Sequence, residues 1–383
     1  MKKAYSPFSL ARLLKTVFDP QPGERVAILI DLDDPHDVAG WAFLKNARYS
    51  VQRYAHDVFY QGLKDGVASE LGLRGGELYA YEVTGGSNLD MTDLAVAPDG
   101  RALSLASEIY PNYDIILCIS TYSATAPLTA LAKQYGFRGA TMHGMNRVIL
   151  DSGLAVDYNE VSREAEALRA GLTKADRFEL LFTIEDQTHR LVIELGGQEA
   201  QKSHGLCRGK NPDIANLPAG EVYFVPTGAE GRFPLKYEDG TLGLMTVEGG
   251  RIVRAELVAG NRSVIEEHNE KLRRDPVTGV LGELGLGTQV LPVSGSDIQD
   301  EKILGTFHVA TGRSDHLGGS LTPDLFAERK NATHDDILFA PHKTPEVTSC
   351  ELRMHRRGEV VTVIKDYQPA PYMQGLLDNM AKA

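Results

Sequence analysis

The run Arg25-Val26-Ala27-Ile28-Leu29-Ile30-Asp31 restricts this chain more than any other stretch. A continuous apolar run has no polar face to turn to water. As a strand it has to be covered on both sides, which is the situation of a mainly parallel sheet. Helical patterns follow through Val38 to Leu44 and through Val51 to Leu71. Strands are then predicted over Leu78 to Val83, Asp114 to Cys118 and Gly139 to His143, with a helix over Ala126 to Tyr135. Strands alternating with helices indicate an open α/β sheet. Ahead of them, Phe8, Leu10, Leu13, Leu14, Val17 and Phe18 recur at helical spacing, and Asp19-Pro20-Gln21-Pro22-Gly23 ends that amphipathic helix. No G-x-G-x-x-G or P-loop pattern opens any of these helices, so a nucleotide site has no support in the sequence.

Asn146 to Ala175 is rich in Ala, Glu, Leu and Arg and reads as a helical link. Beyond it the pattern changes to hairpins. Phe178 to Ile184 and His189 to Leu195 flank a polar turn, and Leu242 to Val247 and Ile252 to Leu257 flank Glu248-Gly249-Gly250. One further helix is expected from Ser263 to Arg274. At 383 residues the chain exceeds one ordinary core. The expected fold class is α/β, with an N-terminal open α/β sheet domain over residues 1–175 and a strand-rich α+β domain over residues 176–383.

A net charge of -12 argues against nucleic-acid or anionic-membrane partners, which are bound through an excess of Lys and Arg. Cys118, Cys207 and Cys350 are widely separated and form no C-x-x-C pair, which predicts neither a disulfide framework nor a thiolate zinc site and makes a reducing cytoplasm the simplest compartment. The basic start Met1-Lys2-Lys3 is not followed by a signal-peptide core, and no stretch approaches the length of a membrane helix.

Chemistry concentrates between Leu281 and Asp336, where carboxylates and imidazoles sit on short apolar segments flanked by glycines, the donor supply of a hard or borderline divalent metal. His334 and Asp336 are two apart before Ile337-Leu338-Phe339, so on a strand they share a face and Asp335 takes the other. A polar strand edge would look the same. His308 closes a predicted strand over Leu304 to Phe307, and a lone histidine there fits a hydrogen-bonded core residue as well as a ligand. Glu283 lies in an apolar segment whose glycines suggest tight turning, where a charge needs a metal or a basic partner. Glu221 stands at the entrance of the Val222-Tyr223-Phe224-Val225 strand, a place where exposed acids are also common.

The runs Asn216 to Val222, Gly282 to Thr288 and Asp300 to His308, with the triplet His334-Asp335-Asp336, resemble in order and spacing the aminopeptidase T and aminopeptidase S family of metallopeptidases. The resemblance covers most of the chain and implies that the C-terminal domain is catalytic. It implies two divalent ions (zinc, cobalt or manganese) held by Glu221, Glu283, His308, His334 and Asp336, a metal-activated water, a peptide or small amide as substrate, and a homodimer. This sequence departs from the family pattern at Asp315, where the family carries a tyrosine, and at Asp335, where it carries a tryptophan. A carboxylate does not donate the hydrogen bond of a phenol unless it is protonated, so Asp315 or the adjacent His316 becomes the candidate proton carrier. A second resemblance, more distant, is to dihydroxypyridine dioxygenases, iron(II) ring-cleaving enzymes with a triad of two histidines and one carboxylate. That resemblance implies a histidine where this chain has Glu283. A non-catalytic relative that kept the scaffold is the remaining alternative.

Overall fold

The computed structural model describes residues 5–382, so Met1-Lys2-Lys3 lies outside the described residues. The apolar run forms the strand Arg25–Leu32, fully buried from Val26 to Ile30. It pairs in parallel with Arg74–Glu82 on one side and Ile115–Cys118 on the other. Arg138–Thr141 and Asp213–Asn216 extend the parallel part, while Leu94–Val96 and Ala102–Ser104 close the opposite end antiparallel. The fold is α/β. The predicted first helix runs Leu10–Phe18, capped by the Ser9 hydroxyl, which accepts from the Arg12 N–H at 3.3 Å. The predicted link is two helices, Arg147–Asp151 and Tyr158–Leu172.

The chain divides into two compact units. The first comprises residues up to Ser162 with His204–Ala219 and Leu291–Gln299; the second comprises Arg163–Ser203, Gly220–Val290 and the residues from Asp300 onward. The return of the 204–219 segment to the first unit is fastened by Arg138, whose buried guanidinium donates to the carbonyls of Phe18 and Cys207 and pairs with Glu24.

The second unit holds two antiparallel sheets. The larger contains the predicted hairpins: Arg177–Ile184 pairs with Gln187–Glu194 around Glu185-Asp186, and Leu242–Glu248 pairs with Arg251–Ala259. Both Glu185 and Asp186 have positive φ, as a tight two-residue hairpin turn with the right twist demands. The smaller sheet runs in the order His334–Phe339, Phe307–Gly312, Leu281–Gly287, Glu221–Phe224, Gln201–Ser203. One apolar core joins the two sheets: Phe178, Phe182 and Phe233 from the larger meet Leu284, Leu286, Phe307 and Phe339 from the smaller, with Phe182 and Phe339 ring centroids 4.6 Å apart. Strand alternation then leaves the opposite face of the smaller sheet to polar residues.

Two local expectations change. Leu281–Gly287 is extended rather than tightly turned, and Gly282, Gly285 and Gly287 have no positive φ. The strand carrying His308 begins at Phe307, because Leu304 to Thr306 is folded into turns in which the Thr306 hydroxyl reaches the carbonyls of Asp300, Glu301 and Ile303. The three cysteines are buried and unbridged. Among the described residues no helix is long and apolar enough to cross a membrane.

Helix Arg262–Arg274 packs His268 against Tyr237, whose hydroxyl lies 2.6 Å from Nδ1. Burial holds this imidazole down at about 4, against an ordinary value of 6.5. The unfolded chain therefore takes up the proton near 6.5 and the folded chain only near 4. The stability tied to a neutral His268 is full above the higher value and declines as the pH falls toward the lower one. A His268→Gln protein is expected to lose less stability than the wild type across this interval in urea unfolding curves. Equal losses would refute this role.

Candidate metal centre

The register of the smaller sheet decides which side chains meet. Glu221 faces Gly287, Tyr223 faces Gly285, and Gly285 faces His308. Glu283 faces Ala310, Ala310 faces Asp336, and Gly312 faces His334. Each donor thus has a glycine or alanine across the strand, and the small residues leave room for acids and imidazoles to lean together. At Gly285 the requirement is strict: a Cβ there would overlap the His308 ring and Oε1 of Glu221.

All five ligands predicted from the sequence come together on this face. Nε2 of His308 lies 3.1 Å from Oε1 of Glu221, 3.7 Å from Oε1 of Glu283 and 3.6 Å from Oδ1 of Asp336. Nε2 of His334 lies 3.0 Å from Oε2 of Glu283 and 3.3 Å from Oδ1 of Asp336. Three overlapping groups have donor atoms within 4.8 Å of one another: Glu221, Glu283 and His308; Glu283, His334 and Asp336; Glu301, His308 and Asp336. These clusters could hold a metal ion. Glu221, Glu283, His308 and His334 are buried, whereas 29% of the Asp336 side chain is exposed, so the centre opens on the Asp336 side.

The donor atoms pair with one another and are also placed where a cation could be held. Oε1 of Glu221 is buried and makes no hydrogen bond of proper geometry, although Nε2 of His308 is close by. Nδ1 of His334 donates to the Arg313 carbonyl at 2.6 Å, which turns Nε2 toward the carboxylates, the usual orientation of a metal-binding imidazole. Burial alone would raise the carboxyl of Glu283, as does Glu221, yet His308 and His334 bring it below the ordinary range. Burial opposes charge on His308 and His334, but Glu221 and Asp336 draw protons onto them and raise both well above the usual imidazole value. A field that holds protons on two buried imidazoles also favours a divalent cation, and the mix of carboxylate and imidazole suits a hard or borderline one.

The other two predicted residues lie beside the centre. Asp315 pairs with Arg313, Oδ1 accepting from Nε at 2.8 Å, so it supports the loop whose carbonyl orients His334. Although burial raises the Asp315 carboxyl, His316 and Arg313 leave it well below the usual range, so it is an acceptor only. His316 is buried edge-on to His334 with ring centroids 5.0 Å apart, and its Nδ1 has no hydrogen-bond partner. Burial brings this imidazole below its ordinary value, against the pull of Asp315. Asp335 turns away toward the Thr333 hydroxyl at 2.7 Å and Lys271 at 3.7 Å.

Sequence reasoning assigned no role to Glu301 and Lys302. Lys302, 1% exposed, places Nζ 2.5 Å from Oε2 of Glu221 and 2.6 Å from Oε1 of Glu301. Burial raises the carboxyl of Glu301 despite the ammonium beside it. In the sequence Asp300-Glu301-Lys302 reads as an ordinary run of charges ahead of Ile303-Leu304-Gly305, and only the fold shows that all three charged side chains are buried.

No protein-family model matches the chain, and no curated protein sequence does. Among solved structures, the 2,5-dihydroxypyridine dioxygenase from Pseudomonas putida KT2440 is similar in fold, with a TM-score of 0.57 over 91% of this chain and 92% of that chain at 14% identity. At that identity the likeness speaks for the fold.

Gly285→Ala tests the geometry directly. The added methyl group should displace Glu221 and His308, lower divalent-ion affinity by about 10- to 100-fold and cost about 1–3 kcal/mol of stability through overpacking. Unchanged affinity in calorimetric titration of the metal-stripped protein would refute the arrangement.

Proposed function

We propose that this chain is a metal-dependent enzyme that hydrolyses a peptide or small amide at a pair of divalent ions, zinc, cobalt or manganese. The observation that carries this reading is the division of Glu283, whose Oε1 is directed to His308 while Oε2 is directed to His334. Glu221 stands with the first imidazole and Asp336 beside the second, so one carboxylate serves two donor groups. Ions held in this way polarise a carbonyl oxygen and lower the pKa of water.

The chain's own residues supply the rest. Glu221, Glu283, His308, His334 and Asp336 are the ligands of this reading, and the exposed side of Asp336 is where substrate enters. His316, edge-on to His334, is the proton carrier of this reading, next to the position where the aminopeptidase T and S family has a phenol. Asp315 is a positioning residue through Arg313. The same resemblance carries the homodimer into this proposal. No comparison supports hydrolysis; the reading rests on the family resemblance and on a donor set that could hold two ions.

The fold comparison favours a second reading, an iron(II)-dependent ring-cleaving dioxygenase acting on a dihydroxylated pyridine. His308 and His334 both approach Oδ1 of Asp336, at 3.6 and 3.3 Å, and two imidazoles with one carboxylate are the donors of a facial triad. Glu283 between the imidazoles counts against it, because it adds a negative charge that a single iron(II) does not need.

Metal analysis of the purified protein, an oxygen electrode and a peptide library separate the readings. Two zinc, cobalt or manganese ions per chain with release of amino acids support hydrolysis. One iron per chain with oxygen uptake on a dihydroxypyridine selects the second reading, and bound metal without either turnover selects a non-catalytic relative. Glu283→Gln is expected to abolish hydrolysis while circular dichroism stays unchanged; retained activity would remove Glu283 from the site.

A further inference from the structure

We infer that Lys302 is a positioning residue that reserves one oxygen of Glu221, so that Glu221 meets a metal ion through Oε1 alone. The inference rests on the metal-centre reading above and adds to it a group that is not itself a ligand.

Three observations carry it. The ammonium of Lys302 is fully buried and sits 2.5 Å from Oε2 of Glu221, so that oxygen is already engaged. The other oxygen, Oε1, makes no hydrogen bond of proper geometry and points into the space that Gly285 keeps open beside His308. The ammonium is itself fixed from behind, by Glu301 at 2.6 Å and by the close seating of the Glu301 to Ile303 backbone over Gly287, where no Cβ would fit. Lys302 therefore cannot swing out to solvent, and Glu221 cannot turn both oxygens to a cation without giving up its strongest contact. Partners that orient ligands in this way set coordination as much as the ligands do.

Cobalt(II) is the probe, because its visible absorption weakens as its coordination number rises. Full-length protein is stripped of metal, titrated with cobalt(II) and compared with Lys302→Met, Glu221→Gln and the double variant Glu301→Leu with Lys302→Met. The double variant removes Glu301 together with Lys302, so Glu301 is not left as an unpaired buried charge while Glu221 keeps His308 beside it, and it supplies the reading if the single variant does not fold. With Lys302 gone, Glu221 is expected to bind through both oxygens and the band to weaken severalfold. A lysine that only supported the fold would change the melting temperature and leave the band as it is. If Glu221→Gln alters the spectrum while both Lys302 variants match the wild type, this inference is wrong and the metal centre stands. If the wild type takes up no cobalt, or Glu221→Gln leaves the spectrum unchanged, the metal centre is wrong and this inference falls with it.

Discussion

A carboxylate taken out of water loses solvation worth several kcal/mol, by order of magnitude, and is stable only where positive charge or hydrogen-bond donors replace it. The smaller sheet of the second unit buries Glu221, Glu283 and Glu301 together, with Asp336 at their margin. Lys302, His308 and His334 are the positive or protonatable groups among them, and each touches more than one carboxylate. The surroundings follow from this need. Arg313 presents its carbonyl to His334, Asp315 holds Arg313, and the turns from Leu304 to Thr306 keep Lys302 inside.

The backbone meets the same need in a second way, through space. Four strands bring acids and imidazoles to one face only because Gly285, Gly287, Ala310 and Gly312 stand across from them. The opposite face of the same strands is packed with Leu284, Leu286, Phe307 and Phe339. One residue of alternation separates an apolar core from a cluster of charges, so a register slip by one residue would exchange them.

Much of this was legible in the sequence. The apolar run from Val26 to Ile30 fixed a buried parallel strand because no other setting hides both of its faces, and the two hairpins followed from alternation around polar turns. The five candidate ligands were named through the resemblance to a metallopeptidase family; strand periodicity alone showed only that His334 and Asp336 share a face. What could not be read is what depends on packing across strands. The glycines around Glu283 suggested a turn, whereas they serve an extended strand whose neighbours need the volume. Lys302 carried no pattern of its own, because a buried lysine differs from an exposed one only in the tertiary structure. The returns of 204–219 and 291–299 to the first unit likewise depend on distant contacts such as those of Arg138.

The five donors do not rest on equally firm ground. Glu221, Glu283 and His308 belong to strands bonded to neighbours along both edges, while His334 and Asp336 ride on the outermost strand, bonded along one edge only. Outer strands open at lower free-energy cost than inner ones. One half of the centre is thus a stiff anvil and the other a compliant jaw, and any change in what the site grips should be taken up on the side of His334 and Asp336, where the centre also meets solvent.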